Sequence, residues 1–402
     1  MEINGQGDKK DVVEAKGIKH LLIVAGEASG DLHAGRLVKE LKQLVPVDRI
    51  TGIAGRYMRE AGVDALSRVE DIAVMGFTEV LGRLGALLRA FRNVLKAVKK
   101  RKPDLAILVD APDLNLRLAK KLHRKGVPVV YYISPQVWAW RTGRVRKITR
   151  FVDKMLVILP FEKDFYARFG VNASFVGHPL LDRPVPANAE ARASLDVPSC
   201  SKVVALLPGS RIGEIKRILP VMISAAYKIT EQMEDPVTFL LPVAGTIDPD
   251  RIEHMCAGVD LDLHILTDDS MKVLAAADVA AVASGTATLE AALAGTPMVI
   301  VYKTSWPSYL IARALVRGVD YIGLPNLILG RRAAPELIQG VANSGKLAEE
   351  LLKLITGGEK AVEQESAWKE LKEKIGGPGA GSRAAVEVAK VAEAMLIKPG
   401  GN

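Results

Sequence analysis

Asp110 and Asp113 stand three residues apart in the stretch LVDAPDLNL (108–116), directly behind the apolar run Leu105 to Val109. A buried strand opening into a loop would present both carboxylates at its mouth. A carboxylate within hydrogen-bond reach of a hydroxyl can take its proton, and a second one can orient the first. The bland reading is turn chemistry, with Asp113 capping a helix that begins at Leu114. Pro112 stiffens the turn under either reading.

Three further strand-to-helix junctions carry residues suited to an anion or a sugar. GEASGDLHAGRL follows the run Leu21–Ala25 and places Gly26, Glu27 and Ser29 at a turn whose backbone N–H groups can face an anion. It departs from the G-x-G-x-x-G fingerprint, so a dinucleotide is not indicated. Asp31 would cap the helix that follows. PGSRIGEIKR, after Val203–Leu207, offers Gly209 and Ser210 for close backbone approach and Arg211 as a planar fork for phosphate. SGTATLEAALAG, after Val279–Ala283, crowds Ser284, Gly285, Thr286 and Thr288 at a helix N-terminus, a place suited to a diphosphate. Glu290, one turn in, can bond a diol or merely favour the helix dipole. The histidines are scattered, with no metal-ligating spacing, so metal chemistry is not expected.

The elements that would position these residues alternate regularly. Strand-like runs occur at Leu21–Ala25, Ile50–Ile53, Leu105–Val109, Val127–Ile133, Lys154–Leu159 and Ala173–Val176. A second series occurs at Val203–Leu207, Thr238–Val243, Leu261–Leu266, Val279–Ala283 and Met298–Val301. Helical patterns such as Leu32–Leu44 and Leu114–Lys125 lie between, which argues for parallel strands with helical crossovers. The segment RPVPANAEARASLDVPSCSK (183–202) has no apolar period and reads as a joint near residue 190. The expectation is an α/β chain of two doubly wound, Rossmann-like domains facing a cleft. A polar extension covers 1–17, the first domain 18–187 and the second 188–375. A helix and tail at 376–402 could return to the first domain or to a partner subunit.

At 402 residues the chain exceeds one ordinary domain. Its net charge of +9 favours an anionic partner: nucleic acid, a phosphorylated ligand or an acidic membrane surface. Two cysteines, Cys200 and Cys256, form no disulfide framework and suggest a reducing compartment. Residues 1–17 are too polar for a secretory signal, and no segment reads as a membrane span. The helical pattern Val74–Lys102 sets Phe77, Val80, Leu81, Leu84, Leu88, Phe91, Leu95 and Val98 on one face and Arg89, Arg92, Lys96 and Lys100 on its flank. Such a helix either packs on a sheet or meets acyl chains and anionic headgroups. SPQVWAWRTGRVRKITR sets Trp138 and Trp140 beside five basic residues, fit to stack on nucleotides or to wall a cleft.

Taken jointly, these stretches closely resemble the lipid-A-disaccharide synthase family. The resemblance rests on AGEASGD (25–31), VDAPDLNLRLAKK (109–121), YYISPQVWAWRTGRVRKI (131–148), LPGSRIGEI (207–215), ASGTATLEAALAGTPMVIVYK (283–303) and LPNLILG (324–330), and spans roughly 19–390. It implies an inverting, metal-independent GT-B glycosyltransferase without a cofactor. The expected donor is UDP-2,3-diacylglucosamine and the acceptor diacylglucosamine 1-phosphate, which join as a β-1,6 disaccharide with loss of UDP. It further implies attachment to the cytoplasmic face of the inner membrane, through helix 74–102, and a homodimer through C-terminal helices. Within that frame Asp113 is the expected base and Asp110 its orienter. Arg211 and Ser210 then hold the diphosphate, Glu290 the ribose, and Asn326 reaches into the cleft unless it is only a turn former. A UDP-N-acetylglucosamine 2-epimerase of the same fold is the alternative. A basic nucleic-acid binder would leave the aspartate pair without a role, so nucleic acid is not the expected partner.

Overall fold

In the computed structural model, residues 17–73, 80–140, 142–245, 247–267, 269–315 and 320–397 are described. The polar extension up to residue 16 and the start of the Val74–Lys102 pattern, 74–79, lie outside them.

The first sheet holds seven parallel strands: β1 (Leu21–Ala25), β2 (Ile50–Ala54), β3 (Asp64–Arg68), β4 (Leu105–Val109), β5 (Val129–Tyr132), β6 (Lys154–Val157) and β7 (Ala173–Phe175). Their order is β3-β2-β1-β4-β5-β6-β7. The second sheet holds β8 (Lys202–Leu207), β9 (Val237–Val243), β10 (Leu263–Thr267), β11 (Val279–Ala283), β12 (Met298–Tyr302) and β13 (Glu336–Ile338), in the order β10-β9-β8-β11-β12-β13. Both are doubly wound, and the strand order reverses between β1 and β4 and between β8 and β11. Ligands in such folds sit beyond the carboxyl ends of the strands at that switch.

The central strands LLIVA, LAILV, VVYY, VAAVA and VTFLLPV are buried at every position, as strands covered on both faces must be. Two strands escaped the sequence reading. β3 (DALSR) is a half-exposed edge strand with a polar makeup, and β13 has only three residues. The joint 183–202 contains a helix, Asn188–Ser194, which the lack of apolar period concealed. The helix Val80–Lys100 buries Ala90, Val94 and Val98 on the first domain and leaves Leu88 40% exposed. Among its described side chains it is therefore a packed helix, with Leu88 exposed among basic neighbours.

The last helix, Ala380–Ile397, lies on the first domain. Ala384, Ala385, Val388 and Ala392 join the core of the first sheet. Its polar side is anchored by Arg383 Nε donating to Val176 O at 2.8 Å and by Ser382 Oγ donating to Glu40 Oε2 at 2.8 Å.

Candidate functional site

β4 ends in a backbone that ordinary side chains avoid. Asp110 (φ 50°) and Ala111 (φ 43°) are both left-handed, which costs roughly 1–2 kcal/mol each. Hydrogen bonds hold them there: Asp110 N–H donates to Tyr132 O at 3.0 Å. Asp110 O accepts from Tyr131 Oη at 2.6 Å and from Asn115 Nδ2 at 2.8 Å. The bend lets the loop after β4 touch the loop after β1. A Cβ on Gly26 would lie 2.4 Å from that of Ala111, so only glycine fits. Strain maintained by this many bonds is a mark of functional sites.

The Asp110 carboxyl faces a 340 Å³ pocket with Ser134, Gln136, Arg144, Glu162 and His178. Thr286 and Leu324 close it from the second domain. Burial, and then the charge of Glu27, push the Asp110 carboxyl up to about 6. Glu162, 1% exposed, is pushed up to about 7 by burial. It accepts from Leu159 N–H at 3.1 Å and Trp138 Nε1 at 3.2 Å. Glu27 and Ser29 are exposed at the start of the helix Ala28–Leu44, beside this crevice.

The second crevice, of 420 Å³, opens at the switch between β8 and β11. Gly209, Ser210 and Arg211 line one side, and Ser284, Gly285 and Thr286 the other, with Glu290 and Arg183 at its end. Gly209 has φ 119°, and a Cβ there would meet Glu214 Oε2 at 2.8 Å. Arg211 is 80% exposed and pairs with Glu214 at 3.0 Å, so its remaining N–H groups face solvent. Ser284 Oγ donates to Ile322 O at 2.9 Å. Glu290 accepts from Ser270 Oγ at 2.9 Å and from Arg183 at 3.4 Å. Thr286 lines both crevices, so the two are continuous across the domain boundary.

Four expectations need correction. Asn326 does not reach the cleft: it is fully buried and holds its own turn. Its Oδ1 accepts from Ala333 and Ala334 N–H at 2.8 and 2.9 Å, and its Nδ2 donates to Ala334 O and Glu336 Oε1 at 2.9 Å each. Thr288 is also fully buried, its hydroxyl donating to Gly285 O at the start of its own helix at 2.7 Å. Asp31 caps a different helix from its own, accepting from the N–H groups of Gly55, Tyr57 and Met58 at 2.7, 2.9 and 3.2 Å. Asp113 does not precede a helix at Leu114. The helix begins at Pro112 with Ala111 at its cap, which leaves Asp113 in the first turn. Its side chain is 73% exposed and pairs with Arg144 at 2.5 Å, outside the pocket that holds Asp110.

The role of Asn326 is open to direct measurement. Asn326→Ala orphans one buried and one part-buried N–H donor and is expected to cost about 3 kcal/mol of folding stability. Urea unfolding reads this directly; unchanged stability with weakened UDP binding would return Asn326 to the ligand site.

Trp138 is not free to stack on a base: it meets Phe161 edge-on, with ring centroids 5.0 Å apart. The side chain of Trp140 lies outside the described residues. Arg183, Arg144, Glu162 and His178 were not singled out from sequence. Only Glu162 left a trace there, three residues beyond the helix-starting Leu159 in LPFEK.

The family model described as lipid-A-disaccharide synthetase matches residues 21–389. This chain belongs to the lipid-A-disaccharide synthase family. Lipid-A-disaccharide synthases from Anaeromyxobacter dehalogenans and Syntrophus aciditrophicus are 46% and 47% identical to it over 370 and 373 residues, 92% of this chain and 96% of theirs in each case. That from Geobacter sulfurreducens is 44% identical over 91% of this chain and 95% of its own. Among solved structures, UDP-GlcNAc 2-epimerase from Neisseria meningitidis bound to UDP-GlcNAc superposes with a TM-score of 0.61 at 12% identity, covering 94% and 100% of the two chains. CalG4, the calicheamicin glycosyltransferase, does so at 0.57 and 16%, covering 95% and 100%. At such identities these neighbours share the fold of the synthase family and nothing finer.

Proposed function

We propose that this member of the family transfers 2,3-diacylglucosamine from its UDP derivative to the 6-hydroxyl of 2,3-diacylglucosamine 1-phosphate. The observation that carries this reading is the meeting of the two crevices at Thr286, with a buried carboxylate on one side and an anion-facing helix N-terminus on the other.

In this reading Asp110, rather than Asp113, is the base. It is the aspartate inside the pocket, and an affinity near 6 keeps it ionised yet able to hold a proton at neutral pH. Asp110 takes the proton of the acceptor hydroxyl as its oxygen attacks C1 of the donor sugar. The bond from C1 to the phosphate oxygen breaks, and UDP departs with the electron pair. Attack opposite the leaving group inverts the anomeric centre. Arg211, Ser210 and the N–H groups at Gly285 and Thr286 meet the charge that develops on the diphosphate. Glu290 is placed to bond the ribose.

Asp110 sets a pH dependence. Its ionised form is the active one, so kcat/KM falls as pH drops through about 6. Glu27 raises that midpoint by repulsion, so Glu27→Gln should move the acidic limb to lower pH. A limb that stays in place would remove Glu27 from the electrostatics of the site.

Among the described residues no helix is long and apolar enough to cross a membrane. Peripheral attachment to the inner face of the cytoplasmic membrane would use exposed Leu88 with Arg89, Arg92 and Lys96. A homodimer through the C-terminal helices would use the outward side of Ala380–Ile397, where Val386 is 41% exposed, since the inward side is covered.

The deciding assay measures UDP release in detergent micelles with chelator present. The reading expects release that requires both lipids, with a disaccharide phosphate formed. Conversion of plain UDP-N-acetylglucosamine to its epimer would overturn it, and so would loss of turnover caused by chelator alone.

A further inference from the structure

A third cavity, of 710 Å³, lies beside the acceptor pocket between the helices Val80–Lys100, Pro112–His123 and Val145–Phe151. Pro112 and Arg144 line both, so the cavity continues outward from the pocket that holds Asp110. Its walls carry eight lysines and arginines and one carboxylate, Asp113, which pairs with Arg144. Arg117, Lys120, Lys121 and Arg124 fall at the i, i+3, i+4, i+7 positions of one helical stripe, and Lys147 and Arg150 face them from the other helix. Among the described residues none of these six forms an ion pair.

Solvated helix faces ordinarily mix the two signs of charge. Here two helices converge with one sign on a shared groove, which repels itself until an anion fills it. The floor has a different character: Phe91, Leu116 and Phe151 are largely buried beneath the cationic rim. An apolar floor under a cationic wall fits an amphiphile, a phosphate carried on an acylated body, better than an inorganic ion.

We propose that this groove holds the phosphate monoester of the acceptor, with Arg117, Lys121, Lys147 and Arg150 as its ligands, so that the sugar extends through the shared opening to Asp110. The proposal rests on the transferase reading and gives it a direction: the phosphate end lies outward, and the reacting hydroxyl inward. It also gives Asp113 a place at the rim, holding Arg144 where the two cavities join.

The same cations could meet phosphate in the headgroups of the surrounding lipid surface, and the test separates the two sources. Lys121→Ala/Arg150→Ala is compared with the wild-type enzyme in nonionic micelles, using the acceptor with and without its 1-phosphate. Both positions are exposed, so folding should survive. The ratio of kcat/KM values for the two acceptors is expected to fall about tenfold or more in the variant, mainly through KM, as loss of charge-assisted contacts implies. An unchanged ratio overturns the proposal. A defect that appears only in micelles doped with anionic lipid assigns the groove to the membrane surface and also overturns it. Titration of the phosphorylated acceptor without donor provides a readout independent of turnover, and should show about tenfold weaker binding in the variant. Wild-type enzyme that binds the lipid but releases no UDP would sink the transferase reading and leave the groove standing.

Discussion

Asp110→Asn should lower kcat for disaccharide formation by about 10³-fold, within the range expected for loss of a positioned base. Donor binding should persist, because the diphosphate crevice belongs to the other domain. The same substitution should make the protein more stable. The folded-state affinity of Asp110 is raised to about 6 from 3.8, so the ionised carboxylate opposes folding once pH exceeds about 6. That penalty fades as pH falls below about 6 and is gone only below 3.8, where folded and unfolded forms both carry the proton. A difference of two units corresponds to about 2–3 kcal/mol at pH 8. Urea unfolding at pH 8 and pH 4 should therefore show a gain at the first and little at the second. Asp113→Asn, at the exposed rim, should cost far less activity. If it costs more than Asp110→Asn, the assignment of the base reverses.

Arg211→Ala should reduce kcat by about 10²–10³-fold, the usual loss when one preorganised donor to a developing anion is removed. Arg211 now spends one edge of its guanidinium on Glu214, and its exposed remainder faces the 420 Å³ crevice. Inhibition by added UDP should weaken in parallel, since the product carries the same diphosphate. Unaltered kcat and UDP inhibition would place the stabilising charge elsewhere, with Arg183 the next cation in that crevice.

Much of this was legible in the chain because buried parallel strands have few ways to be written. β1, β4 and β11 match their apolar runs residue for residue, and the glycines and hydroxyls behind them landed at the two switch points. What failed has physical causes. An edge strand such as β3 needs no continuous apolar run. Asp110 and Asp113 look equivalent in one dimension. Two consecutive left-handed residues, Asp110 itself and Ala111, turn the chain so that they part, and that conformation is imposed by Tyr131, Tyr132 and Asn115 rather than by local sequence. Thr288 reads as a ligand residue because hydroxyls crowd a helix N-terminus, and Asn326 because the family resemblance sends its turn toward the cleft. Both instead satisfy backbone groups nearby. Glu162 shows in the sequence only as a helix-start residue, and its burial comes from the tertiary packing around it.

The return of the helix Ala380–Ile397 to the first domain has a consequence for how the chain is made. The first sheet is complete once about residue 176 has been synthesised, yet Ala384, Ala385, Val388 and Ala392 of its core follow only after the whole second sheet. On the ribosome the first sheet must wait, with an apolar face uncovered, until the second sheet and its helices have emerged. Contacts of such long sequence separation close slowly and leave aggregation-prone surface exposed in the meantime. Loss of the helix Ala380–Ile397 would thus damage the half of the enzyme made first and leave the half beside the break nearly whole.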